Sequence, residues 1–585
     1  MFVTDRQGNP VTDLTADDFE IEEDDIRQSV TSFSLVDIPM KTSPGASGPE
    51  ADVQTNARPL GRLYVFAIDD ISAALRARHH LRRFVEDHFG PNDVGALVYL
   101  TIGQARNTQD FTSNSRLLLR AIDNIMPGEG GQRIESRSTL ISTTQPNFSG
   151  GPRTRMESLR ALTESLAQIR GRRKVVFYIT QGLGMDVFDA LDHHGGTRSI
   201  AFDDMHAALS AATRGNIAIY PVDPTGLAGE LALTEIVDLR AMAYATGGEA
   251  IVNTNSIRGG LERIVRENST YYVITYASTN DRREGRFRDV RVRVSRPGLT
   301  VRARNGYLEP QRKAPRPATT TIAPLPTALA KAVEQPLADP AVPMTAFATA
   351  YRMGDRRASV LIAQEFDASA IGVAQTADVA GATIAVSADG KIFGGKYEFR
   401  PVTVSPAGDR TVRLVSEIQV PSGRYQLRVA GGTKDRAGSV VYDLEVPEYG
   451  KTPLALSGLA LTAPADAATV DLSTRARTLP GAVTTRREFA AAETLTVYIE
   501  VYDNVRKAPA HTVDLTVELH AADGRVLRTV AQQRSSTELS GGMNGFTVAV
   551  PLNGATAGDH VLHVEARANV DEPLIVSQNV PIRIR

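Results

Sequence analysis

Two adjacent carboxylates and a hydroxyl, Asp69, Asp70 and Ser72 in the stretch RLYVFAIDDISAA, are the residues of this chain best placed to do chemistry. Oxygen donors at that spacing suit a hard divalent cation, which takes carboxylate, hydroxyl and water ligands. They follow an apolar run from Leu63 to Ile68 with no polar alternation, the pattern of a strand buried on both faces of a parallel sheet. Such a strand delivers Asp69 and Asp70 just past its carboxyl end, where open α/β sheets place their ligands. The same carboxylates have a plainer use, capping the helix that follows and accepting hydrogen bonds from loop amides.

Other groupings read as surface or as helix ends. His79 and His80 are neighbours on a predicted helix, so their rings point about 100° apart and cannot share an ion. Asp192, His193, His194, Asp203, Asp204 and His206 form an acidic, histidine-containing stretch whose spacing matches no zinc pattern, and Asp203 reads as a helix cap. Arginines 282, 283, 286, 288, 291, 293 and 296 fall on a strand pair, with Arg291 and Arg293 alternating against Val290, Val292 and Val294. That alternation describes an antiparallel strand with one wet side rather than a nucleic-acid surface. RGRRK at 170–174 complements the dipole at the end of a helix. No Gly-rich phosphate loop, nucleophile elbow or HExxH occurs, so no enzyme is expected.

The elements that must position Asp69 and Asp70 belong to a chain of 585 residues, long enough for roughly three or four domains. A net charge of −2 supplies no global attraction to nucleic acid or anionic membrane. With no cysteine, disulfides, thiolate metal sites and cysteine catalysis are excluded. No apolar run approaches the roughly 20 residues of a membrane span. Met1-Phe2-Val3-Thr4 reads like the middle of a strand, which suggests that an upstream segment holding a signal peptide is missing and that the protein is exported to the periplasm, cell surface or beyond.

Residues 1–40 read as a small β module and 41–60, Pro/Gly-rich and polar, as a linker. From Leu63 strand and helix alternate: helices over 76–89, up to Ile125, Met156 to Arg170 and Met205 to Arg214, with strands VGALVYLT, KVVFYIT and IAIYPVD between them. The predicted class is therefore a doubly wound, mostly parallel α/β sheet over 61–310, extended by antiparallel strands.

In that order, the motifs DDIS, GPNDVGALVYL, QDFTSNSRLLLRAI, GRRKVVFYITQG, GNIAIYPVDPTGL, ATGGEAIVNT and RARNGYLEP, preceded by VTDRQGNPVTDLTADDFEIEED, resemble the bacterial VWFA-related domain family of the von Willebrand factor A superfamily. The resemblance covers residues 1 to about 310. It implies a metal-ion-dependent adhesion site that holds Mg²⁺ and leaves one position open for a partner's acidic group. Carried over by position, the ligands would be Asp69 or Asp70, Ser72, Thr154 in GGPRTRM and Gln181, with Asp186 in the acidic loop as a substitute donor. The pattern is degenerate, since Ala74 stands where the second serine is expected and Gln181 where an Asp is expected.

Beyond a Pro-rich linker at 311–341, short alternating strands at roughly ten-residue intervals predict two immunoglobulin-like β-sandwiches, 342–464 and 490–585, joined by a linker at 465–489. The functional expectation is a noncatalytic interaction or adhesion protein that grips a protein or glycan ligand at the rim of the α/β domain. The alternative is an intracellular assembly factor that helps a partner complex mature.

Overall fold

In the computed structural model the described residues are 1–41, 51–57, 61–100, 108–125, 152–169, 172–185, 187, 200–228, 233–280, 287–308, 325–354, 356–387, 391–394, 397–404, 410–463, 468–475, 478–505 and 509–585. The chain divides into two compact units, residues 1–44 with 59–319, and residues 45–58 with 320–585.

The first unit is built on the strand β1 (Leu63–Ile68), every residue of which is buried. It is followed by α1 (Ile71–His88), β2 (Val94–Tyr99), β3 (Gln109–Thr112), α2 (Ser115–Asp123) and α3 (Pro152–Ala167). Next come β4 (Lys174–Ile179), α4 (Ile200–Arg214), β5 (Ile217–Val222), α5 (Leu233–Thr246) and α6 (Ile257–Glu267). The strand order is β5-β4-β1-β2-β3. β1 runs parallel to β2 and β4, and β4 to β5, while β3 pairs antiparallel with β2. Ile68 lies level with Tyr99 and Ile179, and Ile179 with Val222, so the central strands end together and present one rim.

One face of this sheet offers Tyr64, Phe66, Ile68, Phe177 and Tyr220 to the apolar sides of α1, α2 and α6. Phe66 stacks on Phe177 at 5.4 Å and Tyr64 meets Phe84 of α1 edge-on at 5.0 Å. Each buried aromatic contributes roughly 1.5–3 kcal/mol of transfer free energy, which makes the sheet a rigid platform for whatever stands at its rim.

The mixed sheet does not set the class of the molecule. Strands hold 46% of the residues and helices 22%, and it is one of eight sheets among the described residues. The expected doubly wound α/β, von Willebrand factor A-like class is corrected accordingly: the chain is predominantly β. Strand–helix alternation over 61–280 is the strongest periodic signal in the sequence, but the strands that outnumber it are antiparallel and partly solvent-facing.

Several of those strands lie within the first unit. Phe2–Thr4 pairs with Thr300–Arg302, Phe19–Glu23 with Phe287–Val294, and Val30–Asp37 with Thr270–Tyr276, all antiparallel. Residues 1–40 therefore share their sheets with strands far along the chain, from Asp37 opposite Thr270 to Phe2 opposite Arg302. Buried Glu23 locks the join, accepting from Arg288 at 2.7 Å, Ser278 at 2.6 Å and Tyr276 at 2.8 Å.

The second unit is made of two sandwiches, each with its own apolar core. The first sandwich pairs the sheet of Ala468–Asp471, Thr411–Pro421, Arg357–Asp367, Met344–Met353 and Val53–Thr55 with that of Thr376–Ser387, Gly423–Gly432 and Ala437–Val446. In the second, a sheet centred on Thr494–Asp503 faces Leu574–Ile584, Gly558–Ala568, Thr512–Ala521 and Val526–Ser535. Two boundaries differ from expectation. Val53–Thr55, inside the expected linker 41–60, is the edge strand of the first sandwich, and Leu454–Leu456 and Ala460–Ala463 pair with Thr494–Asp503 in the second.

Candidate functional site at the rim of the mixed sheet

β1 ends at Ile68 because the next two amides leave the ladder: Asp69 and Asp70 both donate to the Ile179 carbonyl, at 3.0 and 3.3 Å. The two side chains then part. Asp70 Oδ1 accepts from the Ala73 amide at 2.7 Å and caps α1, satisfying one of its unpaired N–H groups. Asp69, 3% exposed, turns inward beneath the rim.

There Asp69 meets a cation supplied by the protein itself. Arg155 of α3 donates from Nη1 to Asp69 Oδ2 at 3.1 Å and from Nη2 to the Leu183 carbonyl at 3.3 Å. Thr180, the residue after β4, places its hydroxyl 2.7 Å from the same Oδ2 and 2.8 Å from the Gly182 carbonyl, and accepts from the Gly182 amide at 3.1 Å. Burial pushes the Asp69 carboxyl up from its ordinary value, and Arg155, Thr180 and Tyr178 only partly offset it. The Tyr178 hydroxyl is likewise driven well up, by burial first and then by the Asp69 charge.

The loop after β4 is fixed from the other side. Glu235, in the first turn of α5, accepts from the Leu183 amide at 2.6 Å and the Gly184 amide at 3.1 Å. Gly182 holds φ +130°, and a Cβ there would lie 2.7 Å from Glu235 Oε2, so the carboxylate and the glycine require each other. Asp238 accepts from the Val187 amide at 2.9 Å, and Asp223, past β5, accepts from the Thr225 hydroxyl at 2.7 Å.

Of the residues carried over as metal ligands, Asp69 and Asp70 sit at the rim with one oxygen of each, Oδ2 and Oδ1 respectively, bonded to the chain itself, and Ser72 is an exposed first-turn residue of α1. Gln181 follows Thr180, half-buried, with its Nε2 enclosed and without a hydrogen-bond partner. Thr154 falls within α3, with its side chain outside the described residues, and Asp186 lies outside them. A hard cation needs about six oxygens, yet Asp69 Oδ2 is held by a guanidinium and a hydroxyl, and Asp70 by a helix amide. Among the described residues no three His, Asp or Glu side chains converge as a metal site. Among the described residues the arrangement does not fit Mg²⁺: an internal arginine stands beside Asp69, where the resemblance placed a metal, while the Thr154 side chain and Asp186, two of the expected ligands, fall outside the described residues.

Sequence reasoning missed Arg155, Tyr178, Thr180 and Glu235. The available signal was adjacency, since Arg155 and Thr180 each neighbour a residue singled out as a ligand.

The remaining candidates have structural partners. Arg288, Arg291, Arg293 and Arg296 pair with Glu23, Asp25, Glu22 and Asp13, which neutralises the strand that carries them. Arginines 282, 283 and 286 lie outside the described residues, as do Asp192, His193 and His194. Asp204 pairs with Arg160 at 2.7 Å. No described helix is long and apolar enough to cross a membrane.

Near the rim, among the described residues, several large apolar side chains are exposed. Leu227, in the turn after β5, is 61% exposed, and Leu233 and Val237 of α5 are 80% and 47% exposed. Tyr244, 50% exposed, continues the row, because positions 233, 237 and 244 fall on one side of a helix.

No family model and no curated protein sequence matches the chain. Likeness to the following solved structures is partial and low. Red sea bream transglutaminase is 10% identical over 41% of this chain and 31% of its own, with a TM-score of 0.13. A DUF3823 family protein from Bacteroides ovatus is 10% identical over 35% of this chain and 89% of its own, with a TM-score of 0.15. Dimeric latent PorU from Porphyromonas gingivalis is 10% identical over 55% of this chain and 26% of its own, with a TM-score of 0.18. The chain thus spans under a third of the length of the transglutaminase and of PorU.

Proposed function

We propose that this chain is a noncatalytic binding protein that holds a protein ligand at the rim of its mixed sheet, and does so without a metal. The observation that carries this reading is the pairing of spent polar groups with open apolar ones. The rim carboxylates Asp69, Asp70, Asp223 and Glu235 all accept hydrogen bonds from the chain itself, whereas Leu227, Leu233 and Val237 stand exposed beside them. Groups that do acid–base work or ligate metal must keep an open position, and large exposed apolar side chains grouped on one edge mark a contact surface. A cysteine-free composition is compatible with export, and the working location is the cell envelope or outside it.

The test is retention of a partner from cell-envelope extract by the immobilised full chain, compared with the double variant Leu233→Asp, Val237→Asp. A partner held in excess EDTA and lost in the double variant supports the reading. A partner released by EDTA, or held equally by both proteins, contradicts it.

A further inference from the structure

The strand Val30–Asp37 has a partner on one side only. Among the described residues its backbone pairs with Thr270–Tyr276 and with no other strand. Two sets of bonds fix which groups the second edge presents. The Ile38 amide donates to the Ser269 carbonyl at 2.7 Å, whereas Tyr272, level with Leu35, spends its amide and its carbonyl on Met1, each at 2.7 Å. Bonded and non-bonded pairs alternate along an antiparallel ladder, so Ser34 and Val36 face Thr270–Tyr276, and Phe33, Leu35 and Asp37 turn N–H and C=O outward. The ladder's irregularity, at Thr275/Tyr276, lies at the far end of the strand from these groups.

This edge carries none of the usual guards. Val30 to Val36 reads VTSFSLV, without charge, proline or glycine, and Thr31, Ser32, Ser34 and Leu35 are exposed. Open edges are normally blunted by charged side chains or proline, because unpaired N–H and C=O groups recruit another strand. The second sandwich shows such a guard: its outer strand Val526–Ser535 carries Arg528 and Arg534, which donate to the Asn553 and Met543 carbonyls. Phe33 meets Phe19 and Tyr272 at 5.7 and 5.4 Å, and Leu35, next on the same face, is 39% exposed at the margin of that core.

A row of outward N–H and C=O groups is satisfied by an extended chain. We infer that Val30–Asp37 pairs antiparallel with the same strand of a second copy of this chain, forming a symmetric dimer. The strand is its own complement. A two-fold axis at Ser34 sets Phe33 opposite Leu35 of the second copy, the two exchanging both hydrogen bonds, and Asp37 opposite Thr31, so that no like charges meet. A foreign strand would find no charged group from Val30 to Val36 to select it. The inference is independent of the rim and of its ligand.

Because the chain has no cysteine, a single introduced thiol reports on the pairing. At the axis the two Ser34 Cα atoms stand about 4.5 Å apart, within disulfide range, whereas the two Thr31 lie about 20 Å apart. Mild oxidation of the full chain is expected to link Ser34→Cys into a covalent dimer and to leave Thr31→Cys unlinked. In sedimentation velocity, wild type is expected to dimerise as concentration rises. Leu35→Pro, which removes one outward N–H and spares the bonds to Thr270–Tyr276, is expected to stay monomeric. Wild type that remains monomeric at every concentration overturns the proposal, as does cross-linking that is absent or equal at the two positions, or a Leu35→Pro protein that still dimerises. If circular dichroism shows Leu35→Pro to be unfolded, the two cysteine variants decide.

Discussion

A single charge substitution summarises the rim. Where two aspartates and a serine suggest a divalent cation, Arg155 brings a guanidinium to Asp69 from the neighbouring helix, and the cation becomes covalently part of the chain. Burial still dominates the carboxyl, whose folded value is raised above 3.8. The sign of the consequence follows from linkage. A raised carboxyl binds its proton more tightly in the folded state, so its contribution to stability is complete below 3.8 and is lost as pH rises through the folded value. Asp69→Asn removes that dependence. Thermal unfolding midpoints of wild type should therefore fall relative to those of Asp69→Asn as pH is raised from about 4, and parallel curves would show that Asp69 does not titrate as described.

At the scale of elements, the loop after β4 is held by α5 through Glu235. Glu235→Ala strips the acceptor from the Leu183 and Gly184 amides and should cost about 1–3 kcal/mol, with faster hydrogen exchange at both positions. Gly182→Ala should destabilise by at least about 1 kcal/mol, and by less in the Glu235→Ala background, because its Cβ clashes with that same carboxylate. Additive costs in the double variant would break the link.

Elements of this kind were unevenly legible. The strands β1, β2, β4 and β5 could be read because each is an unbroken apolar run. Helix starts were read late: α1 begins at Ile71 under the Asp70 cap and α3 at Pro152, a residue suited to a first helical turn, whereas the apolar periodicity begins only further on. Arg155 was invisible as a site residue because its role depends on where α3 lies against β1, a tertiary fact that local spacing does not carry.

The whole molecule is joined less simply than its composition suggests. The polar segment read as a linker carries Val53–Thr55 into the first sandwich, too short a strand to show alternation. Asn56 fastens it: Nδ2 donates to the Asp339 and Val342 carbonyls at 2.7 and 2.8 Å, and Oδ1 accepts from the Met344 amide at 2.8 Å. Asn56→Ala leaves three backbone groups unmatched and should lower stability by about 3 kcal/mol, read by calorimetry as a downward shift of the transition of the second unit. An unshifted transition would mean that the segment is not part of that fold. The same tertiary pairing bears on why the class was misjudged: residues 1–40 read as a small β module, but strands such as Phe2–Thr4 and Phe19–Glu23 find their partners near residue 300, and local spacing does not show which sheets they complete.

The claim on which this account depends is that Arg155, and no metal, neutralises Asp69 at the rim. Titration of the full chain with Mg²⁺, Mn²⁺ and Ca²⁺ in a calorimeter tests it most directly: the account predicts no saturable heat from any of the three, and stoichiometric binding that disappears in Asp69→Asn would contradict it.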